Sequence, residues 1–187
     1  MKKVAILLAN GFEEVEALTV VDVLRRANET CDMVSITGEQ SITGSHNIEI
    51  KADKILTDKL EDYDAVVLPG GLPGSNTLRD DERVIEILKE FNSANKIVAA
   101  ICAAPIAFGK AGIIKDKNIT SYPGFEEELS EGNYIENELV VQDGNMLTSR
   151  GPATALEFSY KLLELLGSSK QEGLKEGMMY NFLMGRR

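Results

Sequence analysis

The chain has no tryptophan, one histidine (His46) and only two cysteines, Cys31 and Cys102, far apart in sequence. One imidazole and two separated thiols make a zinc cluster improbable, and two distant cysteines give no disulfide framework. No run approaches the ~18 apolar residues of a membrane span. Cationic side chains are in deficit: 20 Lys and Arg stand against 30 Asp and Glu, a formal net charge of −10. Such a surface repels nucleic-acid phosphates and acidic membranes, so neither is expected as a partner. Met1-Lys2-Lys3 and the apolar Val4–Ala9 mimic a secretory leader. The run is too short, however, and Asn10-Gly11-Phe12-Glu13-Glu14 replaces a cleavage site, so a buried first strand and a cytoplasmic location are expected. Gly-x-x-x-x-Gly-Lys-Ser/Thr is missing, and Pro69-Gly70-Gly71-Leu72-Pro73-Gly74 is not Gly-x-Gly-x-x-Gly, which argues against nucleotide binding. There is no linker, repeat or low-complexity segment, and 187 residues suffice for one α/β domain spanning 1–187.

What is present alternates between strand and helix patterns. Val4–Ala9, Asp32–Thr37, Asp64–Leu68 and Ile97–Ile101 read as buried strands. Glu13–Ala27 and Asp81–Phe91 carry helical apolar stripes, and Arg25-Arg26 suits the C-terminal end of the first. Ser41–Ala52 alternates around Ile48 and Ile50 like an edge strand. Asn118–Tyr122 and Glu138–Gln142 are short strand candidates, and Asp143-Gly144 turns a hairpin into Met146-Leu147-Thr148. Pro152 opens a helix to about Leu166, and 170–187 is expected to form a docked tail helix. The alternation predicts a three-layer sandwich around a mostly parallel sheet, with the reactive crevice beyond the carboxyl ends of the strands. Asn10-Gly11-Phe12-Glu13, Pro69-Gly70-Gly71 and Cys102 end strands there together.

Cys102 is the most informative of these. A β-branched run ends on it and a helix-compatible run follows, with Ala100 and Ala104 at the two positions a sharp strand-to-helix turn needs small. Such an elbow lifts the sulfur above the sheet near a helix start, where the thiolate is expected to be favoured and the thiol pKa depressed. A buried core cysteine is the bland alternative, and Cys31, opening a strand, fits it. Gly70 and Gly71 can turn backbone N–H groups toward the same place and, with the N–H of Ala103, form an oxyanion hole; a plain tight turn is the alternative. Glu13, Glu14 and Glu16 crowd one helix start, where carboxylates suit the dipole. One packed beside the sulfur would need a raised pKa and could then move protons; the residues alone do not say which. His46 lies in a polar loop and is a poor candidate for a triad base. Arg150 is a candidate to cap a pocket or pair with a carboxylate.

Ala99-Ala100-Ile101-Cys102-Ala103, Val67-Leu68-Pro69-Gly70-Gly71 and Leu147-Thr148-Ser149-Arg150-Gly151-Pro152 together resemble the DJ-1/PfpI superfamily. Gly11-Phe12-Glu13-Glu14-Val15-Glu16 and Val21–Ala27 resemble its DJ-1 branch, in its small bacterial type. The resemblance runs to about Leu166. It implies a flavodoxin-like fold, a homodimer, and Cys102 as the nucleophile with Glu16 as its acid partner. It also implies roles for the amides of Gly71 and Ala103, and Arg26 as a basic anion-pocket residue near the dimer interface. His46 falls near a second family arginine, so that pocket is altered. Tyr122, in Thr120-Ser121-Tyr122-Pro123, stands where the DJ-1 branch often has a histidine, and Ala103 stands where the PfpI proteases have one.

The resemblance implies an enzyme that turns small dicarbonyls or glycated groups into hydroxy acids, the glyoxalase and deglycase chemistry of the family, with no metal, glutathione or other cofactor. The runner-up is an oxidative-stress sensor or chaperone whose Cys102 becomes a sulfinate. A PfpI-type peptidase is disfavoured, because no histidine adjoins Cys102 to protonate a poor leaving group. A binding module with an incidental thiol is the remaining alternative.

Overall fold

The structure, a computed structural model, describes residues 1–57 and 59–185. Its first half runs β1 (Lys3–Leu8), α1 (Glu14–Arg26), β2 (Thr30–Ser35), β3 (Ser41–Thr43), β4 (Glu49–Lys51), β5 (Lys54–Ile55), β6 (Ala65–Leu68), α2 (Gly74–Asp80) and α3 (Glu82–Ser93). The second half runs β7 (Ile97–Ile101), α4 (Ile106–Ala111), β8 (Asn118–Ile119), β9 (Asn133–Tyr134), β10 (Val140–Asp143), β11 (Met146–Ser149), α5 (Ala155–Leu165), α6 (Gln171–Gly177) and α7 (Tyr180–Leu183). Seven strands form the central sheet in the order β10-β11-β7-β6-β1-β2-β5. All neighbours are parallel except the β10–β11 hairpin.

The central strands are apolar on both faces because helices cover both. Along β1, Val4, Ile6 and Leu8 face one layer with Ala17, Val20 and Leu24 of α1 and Phe158 and Leu162 of α5. Ala5 and Leu7 face the other, with Val84, Leu88 and Phe91 of α3 and Phe108 of α4. Each fully buried side chain of this size contributes about 1.5–3 kcal/mol of transfer free energy. Helix α3 starts where Asp81 accepts a hydrogen bond from the Arg83 N–H at 2.9 Å, a side-chain cap on an otherwise unpaired amide.

Two expectations change, and one element is new. Ser41–Ala52 is not an edge strand of the central sheet: β3 and β4 pair antiparallel as a separate hairpin, and β5 forms the edge. The segment after Gly71 is helical (α2), which its mixed polar sequence did not signal. The tail is two short helices, because Met179 takes a left-handed φ of 61° between them, and residues 186 and 187 of the expected helix lie outside the described residues. It docks through an edge-on Tyr160–Tyr180 contact, ring centres 5.1 Å apart, and through Lys170 Nζ, which donates to the Ala27 carbonyl at 2.6 Å.

Candidate active site

β1, β6 and β7 are neighbours in the sheet, so the segments that follow them meet at its carboxyl edge. Cys102 is the residue after β7 and has φ +64°. Six non-glycine residues among those described are left-handed; four are Asn or Asp, which tolerate it, and Cys102 is not of that kind. Its backbone is tied on both sides. Its N–H donates to Ser149 O at 3.0 Å, continuing the β7–β11 ladder, and its carbonyl accepts the Tyr122 N–H at 2.8 Å. The chain turns through residues 102–105 before α4, with Ala100 and Ala104 fully buried. The expected elbow is therefore present. The regular helix begins four residues after the sulfur, so the nearest donors are single amides.

Gly70 lies against the cysteine. A Cβ there would fall 2.5 Å from Cys102 Cβ, 2.6 Å from Glu16 Oε2 and 3.0 Å from the sulfur, so no side chain fits. Gly71, at φ +91°, presses on the Gly11–Glu13 backbone, where a Cβ would overlap Glu13 N and Gly11 O. Glu16, in the first turn of α1, is completely buried; its Oε2 accepts the Gly70 N–H at 2.7 Å. The Glu13 N–H returns a bond to Gly70 O at 2.8 Å. Glu16 Oε1 has no hydrogen-bond partner of ordinary geometry, and the thiol is the polar group beside the carboxyl. Helical spacing separates Glu14 from this point; its carboxylate runs to the β3–β4 hairpin instead.

Burial pushes Glu16 up to about 7, against the pull of the Gly70 amide and the thiol, with the Glu13 charge adding to the rise. The Cys102 thiol is likewise pushed up to about 12, first by burial and then by the Glu16 charge and hydrogen bond. The expectation of a depressed thiol pKa is therefore corrected: a carboxylate in contact outweighs the N–H groups of Ala103 and Gly71, which face the sulfur and favour its anion. Thiol and carboxyl hold one proton in common between these limits. The arrangement can present a thiolate when the carboxyl takes that proton, and two amides can then receive a developing oxyanion.

Other candidates lie elsewhere. The Tyr122 backbone touches Cys102, while its side chain is half exposed and its ring flanks Gly151. Arg150 Nη1 donates to Thr120 Oγ1 at 3.2 Å, and its charge adds to the Gly124 amide in lowering Glu126. Arg26 sits about 15 Å along α1 from Glu16 and pairs with Asp22 at 2.7 Å, so one chain does not bring it to the sulfur. Cys31 is buried in the core, 3 % exposed. Glu13, Glu14 and His46 are the group of metal-type donors that comes together among the described residues, within 4.8 Å. His46 Nδ1 is engaged there by Glu14 Oε2 at 2.8 Å. Sequence reasoning did not find the role of Ser45 and Gly44, which pack this hairpin onto Glu13 and Glu14; a polar loop gives no periodic signal.

A strained cysteine elbow, a buried glutamate and a glycine pair in contact lead to one family, whose model, DJ-1/PfpI, matches residues 2–165. The chain belongs to the DJ-1/PfpI family. Its relatives include dj-1beta of Drosophila melanogaster, 38% identical over 181 residues, covering 95% of this chain and 97% of that one. The crystal structure of Drosophila DJ-1beta superposes with a TM-score of 0.90 at 39% identity, covering 96% of this chain and 98% of that one. Oxidised DJ-1 of Toxoplasma gondii gives 0.88 at 29% identity, covering 96% and 98%. The mostly parallel sheet between helical layers is the fold these proteins share. None of the described helices is long and apolar enough to cross a membrane.

Proposed function

We propose that the protein converts small dicarbonyls such as methylglyoxal and glyoxal, or the adducts they form on amines, to hydroxy acids. The observation that carries this reading is the sulfur of Cys102 held at a left-handed elbow against a fully buried, incompletely bonded glutamate. The thiolate adds to the aldehyde carbon, and the carbonyl oxygen takes the negative charge between the N–H groups of Gly71 and Ala103. That oxygen accepts a proton, giving a hemithioacetal. Glu16 as carboxylate removes the proton from the carbon bearing sulfur, and the resulting enediol is reprotonated by the same carboxyl at the adjacent carbon. The thioester so formed is cleaved by water, which releases lactate from methylglyoxal and returns the thiol. The sum is methylglyoxal plus water to lactate, with no external oxidant or cofactor. Tyr122, Arg26 and Arg150 are given no step.

Incubating the full chain with methylglyoxal and following lactate by NMR tests this. Expected is one lactate per methylglyoxal, reduced at least about 100-fold in Cys102→Ser and in Glu16→Gln. Methylglyoxal left untouched at micromolar protein would overturn it.

A second reading uses the same atoms. Toxoplasma DJ-1 has been seen oxidised, and here two amides and a carboxyl surround the sulfur. Thiolate and two molecules of peroxide would give sulfinate and two of water. Intact mass after mild peroxide, with Cys102→Ala as control, separates the two readings: two added oxygens without dicarbonyl turnover favours the sensor. Peptide hydrolysis is not favoured, since the single histidine is engaged on the hairpin. We also place the protein in the cytoplasm as a homodimer. A groove of about 430 Å³ along α1, lined by Val15, Leu18, Leu156 and Met178 with Glu14, Thr19 and Asp22 beside them, supports the dimer, and light scattering on the purified chain tests it.

A further inference from the structure

Glu14 is a buried carboxylate that the proposed reaction does not use. Its side chain is 6% exposed, and such a group is costly to bury without full compensation. Apart from its own backbone N–H, the partners of its carboxylate come from one short loop. The His46 N–H donates to Oε1 at 2.7 Å, His46 Nδ1 meets Oε2 at 2.8 Å, and Ser45 Oγ donates to Oε2 at 3.2 Å. Gly44 has no room for a side chain because the Glu14 carboxyl occupies that space. The same loop is stitched to the segment before α1. Gly11 N–H donates to Thr43 O at 2.8 Å, Ser45 N–H to Phe12 O at 2.8 Å, and Thr43 N–H to Asn10 Oδ1 at 3.0 Å.

That segment is a wall of the site. Gly11 and Glu13 lie under Gly71, Glu13 N–H holds Gly70 O, and Gly70 N–H holds Glu16. Contacts therefore run unbroken from the imidazole of His46 through Glu14 and the start of α1 to the carboxyl beside the sulfur. The charges form a series too. His46 faces Glu14 at 2.8 Å and Glu13 at 3.6 Å, and the Glu13 charge acts on Glu16. The remaining wall of this corner, Val15, Ile48 and Pro152, brings no titratable group.

We infer that Glu14 and His46 are positioning residues for the Cys102–Glu16 couple, pinning the β3–β4 hairpin to the loop under the glycine pair and offsetting the carboxylate charge next to Glu16. The inference rests on that couple being the reactive one. Its test reads the thiol directly, so it does not depend on which substrate is turned over.

The test measures the rate of Cys102 alkylation by iodoacetamide against pH, together with amide exchange, on the full chain and its His46 variants. In His46→Ala two carboxylates lose the imidazole that faces them, whose protonated form the Glu14 hydrogen bond and the Glu13 and Glu14 charges favour. The first alkylation midpoint is expected to rise by roughly 0.3–1 unit, and the Gly11 and Ser45 amides to exchange at least about tenfold faster. His46→Lys is expected to bring the midpoint back, a recovery that a purely steric role would not produce. An unchanged profile and unchanged exchange in His46→Ala would overturn the inference. A folded His46→Lys that fails to restore the midpoint would also overturn it. If these shifts appear while methylglyoxal is untouched, the reaction proposed above falls and the positioning role stands.

Discussion

Glu16 and Cys102 divide one proton between them over much of the neutral range. The first proton leaves the couple near 7, where burial has pushed the carboxyl, and the second is held up to about 12 by burial and by the charge the first leaves behind. Alkylation of Cys102 should therefore climb in two steps, one near pH 7 and one well into the alkaline range. In Glu16→Gln the charge that holds the second proton is gone, so a single step is expected, below about 12 and above the free thiol value of ~8.5. A rate-against-pH curve checks this. One step in both proteins would mean that carboxyl and sulfur do not communicate. The cysteine elbow and the glycine pair could be placed from the residues themselves, whereas Glu16 was singled out among three carboxylates only by the family resemblance. The elbow and the pair sit where strands end, and strand ends can be read from apolar runs. The direction of the thiol shift was not legible, because it depends on a contact between Glu16 and Cys102 that only the folded chain makes.

At the scale of elements, the site depends on how closely two loops approach. Gly70 admits no Cβ without displacing Cys102 or Glu16. Gly70→Ala is thus expected to lower dicarbonyl turnover or alkylation at least about tenfold and to cost about 1–3 kcal/mol of stability. Denaturant titration alongside the rate measurement checks both numbers. Regular elements with strong periodicity were readable: β7 appears at Ile97–Ile101 as expected, and α1 and α3 within two residues of their expected ends. Elements defined by partners were not. The Ser41–Ala52 alternation fits an edge strand or a hairpin equally well, and only docking on Asn10, Phe12 and Glu14 decides for the hairpin. Residues 74–80 have no apolar stripe to announce a helix, and the tail breaks at a left-handed methionine that no propensity foretells.

For the whole molecule, the two buried glutamates pull stability in opposite directions with pH. Glu16 ionises near 4.5 in an unfolded chain and near 7 here. The folded state then binds more protons across that window, and stability falls as pH rises through it, by about 3 kcal/mol. Burial alone would raise Glu14, but hydrogen bonds from His46 and Ser45 outweigh it and hold the group down to about 2, so its contribution is lost as pH falls from 4.5 toward 2. Urea midpoints should peak near pH 4.5 to 5 and decline toward 7. In Glu16→Gln that decline should largely vanish; an identical decline would show that another group causes it. The sheet order adds a consequence of a different kind. The elbow is completed by the Cys102 N–H bond to Ser149 and by the Tyr122 N–H bond to the Cys102 carbonyl. A nascent chain emerging from the ribosome already carries its thiol at residue 102 but cannot close either bond until those later residues follow. The sulfur is an ordinary cysteine throughout most of its own synthesis, and only the nearly finished polypeptide acquires the strained geometry that sets it apart.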